Sequence, residues 1–568
     1  MHDTETHPAP VAPENGHLEP NEPTPSNAST PKPSKALLRG FTTLSNALEE
    51  EEDMRAELQY AQKRAVFYTE LESQEKEIKR LVASHCRLVP DQVQIPNAFE
   101  PVNGLMWLHG SFNVCVVVYL NRSGGSLPTK MAFRVPLPYK IGEEYYPGNG
   151  EEKVRSEAAT YIWISRNCPD IPIPKLRGFG VPGGLSFFDP KFLPPWQRIK
   201  SYVWRFFCRL YSASTPEYVP QRRTTFLEHG YLLIDWIETE NSQMLSNTFS
   251  SPHSETQTQN LYRCMAKIMI SLAKIPQPRI GSWTIDNDGH ISLSNRPMFC
   301  HLNQLENWAI PAGIPRNMTY KSADSLYLDL LTGHDNRLRH QGNAVFSSKD
   351  ARGQATDLVL MKALLHNFTD RSLRDGPFIM QLTDMHASNI FVDEDWNINH
   401  VIDLEWACSL PLENLLPPYW LTHKGVDQIE GPEYERFKLC YEQFTDIFKQ
   451  EETKTPLYHN PTFYSGITSM RRALYSPAAT MKNALEDGRY WYLHALRTPK
   501  GLFNIFRTHL GSFYDKSPEG TLIPAISPFW TPGMSSFVDS KLIEFAEYRQ
   551  EVHDIFNSKK SGTPYYDV

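Results

Sequence analysis

Cysteine is scarce in this chain, and what there is lies scattered. Eight cysteines stand among 568 residues, at 86, 115, 168, 208, 264, 300, 408 and 440, with no C-x-x-C pair. That spacing excludes a zinc ribbon and argues against a disulfide-stapled scaffold. Long apolar runs are missing too. The longest, such as VCVVVYL at 114–120, fall far short of the roughly 18 residues that cross a bilayer. The N-terminus, MHDTETHPAP, has no basic segment followed by an apolar one, and its acidic residues argue against a transit peptide. Matches to N-x-[ST] such as Asn121-Arg122-Ser123 are then read as chance. No long basic run occurs. Lys+Arg is 57 and Asp+Glu 65, a net charge of −8, which disfavours nucleic acid as the main partner. Absent as well are G-x-x-x-x-G-K-[ST], H-E-x-x-H and G-x-S-x-G, which lowers P-loop, zincin and α/β-hydrolase readings. The expectation is an intracellular, cytoplasmic protein with no transmembrane segment.

Hydrophobic residues make up 40% of the chain and aromatics 12%, enough for a sizeable core. Residues 1–40 are the exception: eight prolines among Ser, Thr, Asn and Glu predict a disordered tail. Residues 41–99 form a charged helical segment. Asn46-x-x-Glu49 suggests a capping box, and Leu58, Ala61, Ala65, Tyr68, Leu71, Ile78 and Leu81 follow at mostly helical spacing. A helix packed on the domain is favoured there over an exposed coiled coil, because the heptads are irregular. From about 100 the pattern is β: a hairpin around His109-Gly110-Ser111, a turn at Gly124-Gly125, a strand from Met131 to Val135, a helix over 151–166, and strands near 174–179 and 230–237. Residues 181–225 read as an insertion. Its centre, 194–212, draws as a helix with Arg198, Arg205 and Arg209 on one stripe and Ile199, Val203, Phe206, Phe207 and Leu210 roughly opposite. Packing on its own domain with a solvated arginine edge is favoured over membrane or partner docking. Beyond 256 helices dominate, with hairpins at 281–293 and 389–404.

The chemistry concentrates in 380–408, MQLTDMHASNIFVDEDWNINHVIDLEWAC. Asp384 precedes Asn389 by five residues, and Asp403 follows across a hairpin that brings Asn389 and Asp403 to one end beside Asp384. Phosphoryl transfer needs such a set: one carboxylate for the attacking hydroxyl, and a carboxylate with an amide oxygen for Mg²⁺. D-x-x-x-x-N followed by a strand-borne Asp is the spacing of protein-kinase-like folds. Taken singly, the three are ordinary loop caps and a strand end. A formal G-x-G-x-x-G at Gly178–Gly183 contains a proline and opens no helix, so it reads as a loop and not a dinucleotide turn.

LTDMHASNIFVD followed by VIDLEWA resembles the aminoglycoside-phosphotransferase-like family, in its fungal-type branch. HGSFNVCVVV, FRVPLP, KVRSEAATYIWIS and IPIPKLRGFG resemble that branch in the same order, over about residues 100–430. The resemblance implies an α+β, bilobal protein-kinase-like fold: a small antiparallel-sheet N-lobe (100–238, with the insertion) and a larger helical C-lobe (239–560, with the catalytic loop at 382–408). It implies an ATP- or GTP-dependent phosphotransferase acting with Mg²⁺ on a small-molecule hydroxyl. Asp384 falls at the catalytic aspartate, and Asn389 and Asp403 at the metal ligands. Residues 232–238, with Ile234 and Trp236, fall at the inter-lobe hinge that would meet the adenine. Glu157 falls at the helix glutamate whose partner in the family is a strand lysine; this chain has Arg134. Arginine grips phosphate bidentately but is no simple substitute for lysine, and a structural Arg134–Glu157 ion pair is the other reading. The phosphate loop is Gly110-Ser111-Phe112-Asn113, where Gly110 and the amides from Ser111 to Asn113 would approach phosphate.

Thr383 stands before Asp384 where protein kinases carry arginine, and no D-F-G, long activation segment or A-P-E follows. A protein kinase is therefore disfavoured. The alternative kept beside the small-molecule kinase is a catalytically weak nucleotide-binding pseudokinase or scaffold. His386 either orients the catalytic loop or touches substrate. Glu405 either faces substrate or pairs within the fold. Asp427, Glu430 and Glu433 read as a solvated face in preference to an acidic rim for a cationic substrate.

Overall fold

The computed structural model describes residues 34–99, 107–121, 127–210, 215–224, 227–454, 476–499, 501–514 and 521–558. Residues 1–33 of the tail predicted over 1–40, the start of the first hairpin at 105–106 and the turn at Gly124-Gly125 lie outside the described residues.

Residues 34–40, the end of the predicted tail, are structured. Strands β1 (Ser34–Ala36) and β2 (Phe41–Thr43) pair as a hairpin. Thr43, extended at the end of β2, caps helix α1 (Leu44–Glu49) by accepting from the Asn46 amide at 3.4 Å. The cap is therefore Thr43 and not Asn46. Helices α2 (Met54–Ser73) and α3 (Glu75–Cys86) bury Tyr60, Phe67, Leu71, Ile78 and Leu81. These pack against Val114, Val116, Val118, Phe133 and Val135 in one core, as the packed-helix reading expects. The chain then adds β3 (Val93–Gln94), so 41–99 belongs to the sheet unit rather than standing apart.

The sheet has eight strands. In order across it run β3, β5 (Asn113–Leu120), β6 (Lys130–Pro136), β10 (Tyr231–Asp235), β7 (Leu176–Val181), β8 (Leu185–Phe188) and β9 (Val219–Arg222), with β4 (Leu108–His109) beside β5. The insertion is thus part of the sheet: β8 and β9 extend its edge, and helix α5 (Pro195–Leu210) joins them. Central strands are covered on both faces, which explains their unbroken apolar character. α2 and α3 cover one face. Helix α4 (Asn149–Asn167) covers the other, where Ala132, Leu232 and Ile234 share a core with Val154, Ala158 and Ile162. Side chains alternate along β6, so Phe133 and Val135 face α2 and α3 while Arg134 faces α4.

Gly178 and Gly180 lie inside β7, which corrects the loop reading. A Cβ at Gly178 would sit 2.2 Å from the His85 ring of α3, and one at Gly180 2.4 Å from the Tyr231 ring. These glycines permit close packing.

The rest is mainly helical. Helix α6 (Glu255–Ala273), capped by Ser254 and Gln257, packs beside the hairpin of β16 (Ile390–Val392) and β17 (Ile398–Val401). The predicted hairpin at 281–293 forms from Ser282–Ile285 and Ile291–Asn295. Helices from 300 to 556 enclose a second, aromatic core that includes Tyr327, Tyr441, Tyr490, Trp491 and Tyr492.

Candidate functional site

Strand β15 (Phe378–Leu382) delivers the chain to the motif and pairs with β18 (Ala407–Pro411), which carries it away. The Thr383 amide and hydroxyl both donate to the Trp406 carbonyl, at 2.9 and 2.7 Å, pinning the loop's two ends together. The Asn389 side-chain nitrogen donates to the Asp384 carbonyl at 2.9 Å, and Trp420 Nε1 to the Met385 carbonyl at 2.8 Å. Each of these bonds closes one face of the loop. The Ile402 amide donates to the Asn389 carbonyl at 2.9 Å, so the hairpin sets Asn389 beside Asp403. His386 Nδ1 accepts from the Ser388 amide, and its Nε2 lies 3.7 Å from the Asp384 carboxylate. The orienting reading of His386 therefore has geometry behind it. Burial lowers the His386 pKa, but the bond and charge of Asp384 outweigh it and raise it.

Asp403 adopts φ 57°, the left-handed region that a non-glycine residue enters at a cost. Its carboxylate is held there by Arg134 Nη2. The same guanidinium bonds Glu157 through Nη1 at 2.5 Å and reaches Glu405 at 3.5 Å. Glu405 is buried and paired within the fold, which decides between its two readings: it binds Lys153, and it accepts from Asn113 Nδ2 at 2.6 Å. Lys153 in turn donates to Asn113 Oδ1 at 2.6 Å.

Lys153 is the residue that sequence reasoning missed. It is 1% exposed, one helical turn before Glu157 on α4. That spacing was the available signal, because residues four apart share a helix face.

Burial is the largest influence on the acids here. It raises the pKa of Glu157 and of Asp403, Arg134 pulling each back only in part. Burial acts likewise on Glu405, but Lys153 and Arg134 together overcome it and lower that pKa. Asp384 stands near enough to add to the rise at Asp403. Two cations thus serve three carboxylates, Glu157, Asp403 and Glu405, with Asp384 close by.

The 110–113 turn closes over this cluster. The Gly110 amide donates to the Asn113 carbonyl at 2.8 Å, and a Cβ on Gly110 would lie 3.1 Å from that oxygen. Ser111 is exposed. The Phe112 ring meets Trp406 edge-on at 5.1 Å. The Asn113 side chain is committed to Glu405 and Lys153.

Along β10 the register sets Leu232 opposite Arg134 and Ile234 opposite Ala132. Ile234 therefore lies two residues along from Arg134 on the same face. Trp236 follows, half-buried against the core.

Among the described residues no three His, Cys, Asp or Glu side chains gather as a metal cluster. Asn389 and Asp403 are an amide and a carboxylate, and the Asn389 amide oxygen takes no hydrogen bond from the described residues. Asp427 and Glu430 are exposed, as a solvated face should be, whereas Glu433 is half-buried and pairs with Arg436 at 3.1 Å. A cavity of about 90 Å³ lies beside the loop, lined by Thr383, Met385, Tyr419, Trp420, His494 and Arg497.

No protein-family model matches this chain, and no curated protein matches it. Among solved structures it is similar to one named macrolide 2'-phosphotransferase type I, at 12% identity and a TM-score of 0.26, covering 74% of this chain and 95% of that one.

Proposed function

We propose that this chain is a phosphotransferase of protein-kinase-like, bilobal architecture that transfers the γ-phosphoryl group of ATP or GTP to a small-molecule hydroxyl. The observation that carries the reading is Arg134, bonded at once to Glu157 of α4 and to Asp403 of the catalytic segment. It ties the sheet, its covering helix and the hairpin to one point, as a nucleotide site between two units requires.

The residues suit a divalent cation. Arg134 and Lys153 leave an excess of negative charge among Glu157, Asp384, Asp403 and Glu405, and Asn389 has a free amide oxygen beside Asp403. Asn389 and Asp403 would hold Mg²⁺, which when bound neutralises phosphate oxygens of the nucleotide. Arg134 would keep Glu157 as its anchor and turn its second nitrogen from Asp403 to phosphate. Lys153 and Asn113 would fix the 110–113 turn, in which the Gly110 amide is bonded to the Asn113 carbonyl, leaving the Ser111 amide for the phosphates. Asp384 would accept the hydrogen bond of the acceptor hydroxyl and orient it, with His386 steadying its carboxylate.

The Arg134–Asp403 bond also favours the second reading, a weak nucleotide binder, because it occupies a carboxylate that metal binding needs. Titration of the full chain with Mg·ATP and Mg·GTP separates the readings. A ligand of the folded state raises the melting temperature by mass action. We expect a metal-dependent rise in wild type, lost in Asp403→Asn. Asp384→Asn should keep the rise and lose about 10²–10⁴-fold in nucleotide turnover. A rise without turnover in wild type selects the weak binder. No rise with either nucleotide at millimolar concentration removes both.

A further inference from the structure

Helix α5 is left unused by the phosphotransferase reading. Its apolar side chains were expected to pack on their own domain, and six of the described ones do not. Trp196 is 77% exposed and Phe206 61%; Ile199, Tyr202, Val203 and Phe207 are exposed as well. At about 100° per residue these six span an arc of about 140°. On the opposite side, Ser201 is half-covered and Gln197 hydrogen-bonds Gln221 of β9. The helix therefore touches the protein through its polar side, at half-covered Ser201 and at the exposed Gln197, and turns its apolar side to solvent. This inverts the usual amphipathic arrangement, and a patch of this kind marks an interaction surface.

Charge selects the partner. Residues 195–210 contain Arg198, Lys200, Arg205 and Arg209 and no acid, in a chain of net charge −8. Arg198 stands at one edge of the apolar arc and Lys200 at the other, so a second copy of this face would bring like charges together. Trp196 and Tyr202 add the amphipathic rings that favour a lipid–water boundary. The helix has 16 residues, and no helix among the described residues is long and apolar enough to cross a membrane. We propose that α5 docks the protein on an anionic lipid surface. It lies flat, with Trp196, Ile199, Tyr202, Val203, Phe206 and Phe207 in the headgroup–acyl boundary and Arg198 and Lys200 at the level of the lipid phosphates.

The test is flotation of the full chain with vesicles of phosphatidylcholine alone, or with phosphatidylserine added. We expect binding to the anionic vesicles that is at least about tenfold stronger than to neutral ones and weakened by salt. Ile199→Asp with Phe206→Asp should abolish it at an unchanged melting temperature, since both side chains are exposed. Arg198→Glu with Lys200→Glu, which leaves the apolar face intact, should remove the preference for anionic lipid. Failure of wild type to float with anionic vesicles overturns the proposal. So does equal flotation of the Ile199/Phe206 variant. A lipid-free dimer in wild type that this variant dissociates would assign the face to a second copy instead.

Discussion

Lys153 is a buried ammonium whose charge is met by Glu405 and whose geometry is set by Asn113. Removing it leaves Glu405 buried with less to balance it, so Lys153→Met should cost about 3–5 kcal/mol in urea unfolding. The double variant with Glu405→Gln should recover most of that loss, because the uncompensated charge is gone. A second residue, His85, sets a pH dependence. It is fully buried against Phe188, with Nε2 2.8 Å from the Tyr231 hydroxyl, and burial pushes its pKa down to about 3. The unfolded chain returns that imidazole to its ordinary value near 6.5. Its contribution is therefore fully present above about pH 6.5 and declines as pH falls toward 3. Urea midpoints taken from pH 7.5 to 5 should fall less steeply in His85→Phe than in wild type.

At the scale of elements, close approach governs the sheet. α3 sits so near β7 that Gly178 has no room for a methyl group beside His85. Gly178→Ala should destabilise the protein by about 1–3 kcal/mol, through displacement of His85 or of α3. Thermal unfolding of the variant checks this, and an unchanged melting temperature would mean that the ring simply moves aside. The insertion belongs to this scale too. Residues 181–225 read as an appendage because their centre is so amphipathic, yet their ends are strands β8 and β9. Those strands are short, and pairing along a sheet edge leaves little mark on sequence.

At the scale of the molecule, the first and last described helices meet. The final helix, Met534–Asn557, sets Tyr548, Val552 and Phe556 against Ala47 and Met54. The Met54 amide donates to the Tyr548 hydroxyl at 3.1 Å, and Arg55 pairs with Glu551 at 2.8 Å. Tyr548→Ala should cost about 3 kcal/mol, mostly through the cavity it leaves. It should also raise protease cleavage near Met54 well before global unfolding, which limited proteolysis followed by mass spectrometry would detect. Nothing in the local pattern of 41–99 or 534–557 announces this contact, since both segments read as ordinary amphipathic helices.

The sequence by itself determined the alternating strands, the β16–β17 hairpin and the spacing that sets Asn389 beside Asp403. These are local consequences of periodicity and turn chemistry, and they need no knowledge of what packs on what. Tertiary structure decided the rest. It decided that Lys153 is buried, that Glu405 is a partner within the fold, and that Arg134 reaches Asp403 some 270 residues away. It decided as well that the apolar face of α5 is open to solvent while α2 and α3 are covered. The physical reason is the same in each case. A helix wheel gives the direction of a side chain, but whether that direction holds protein or water is settled by segments far away in the chain.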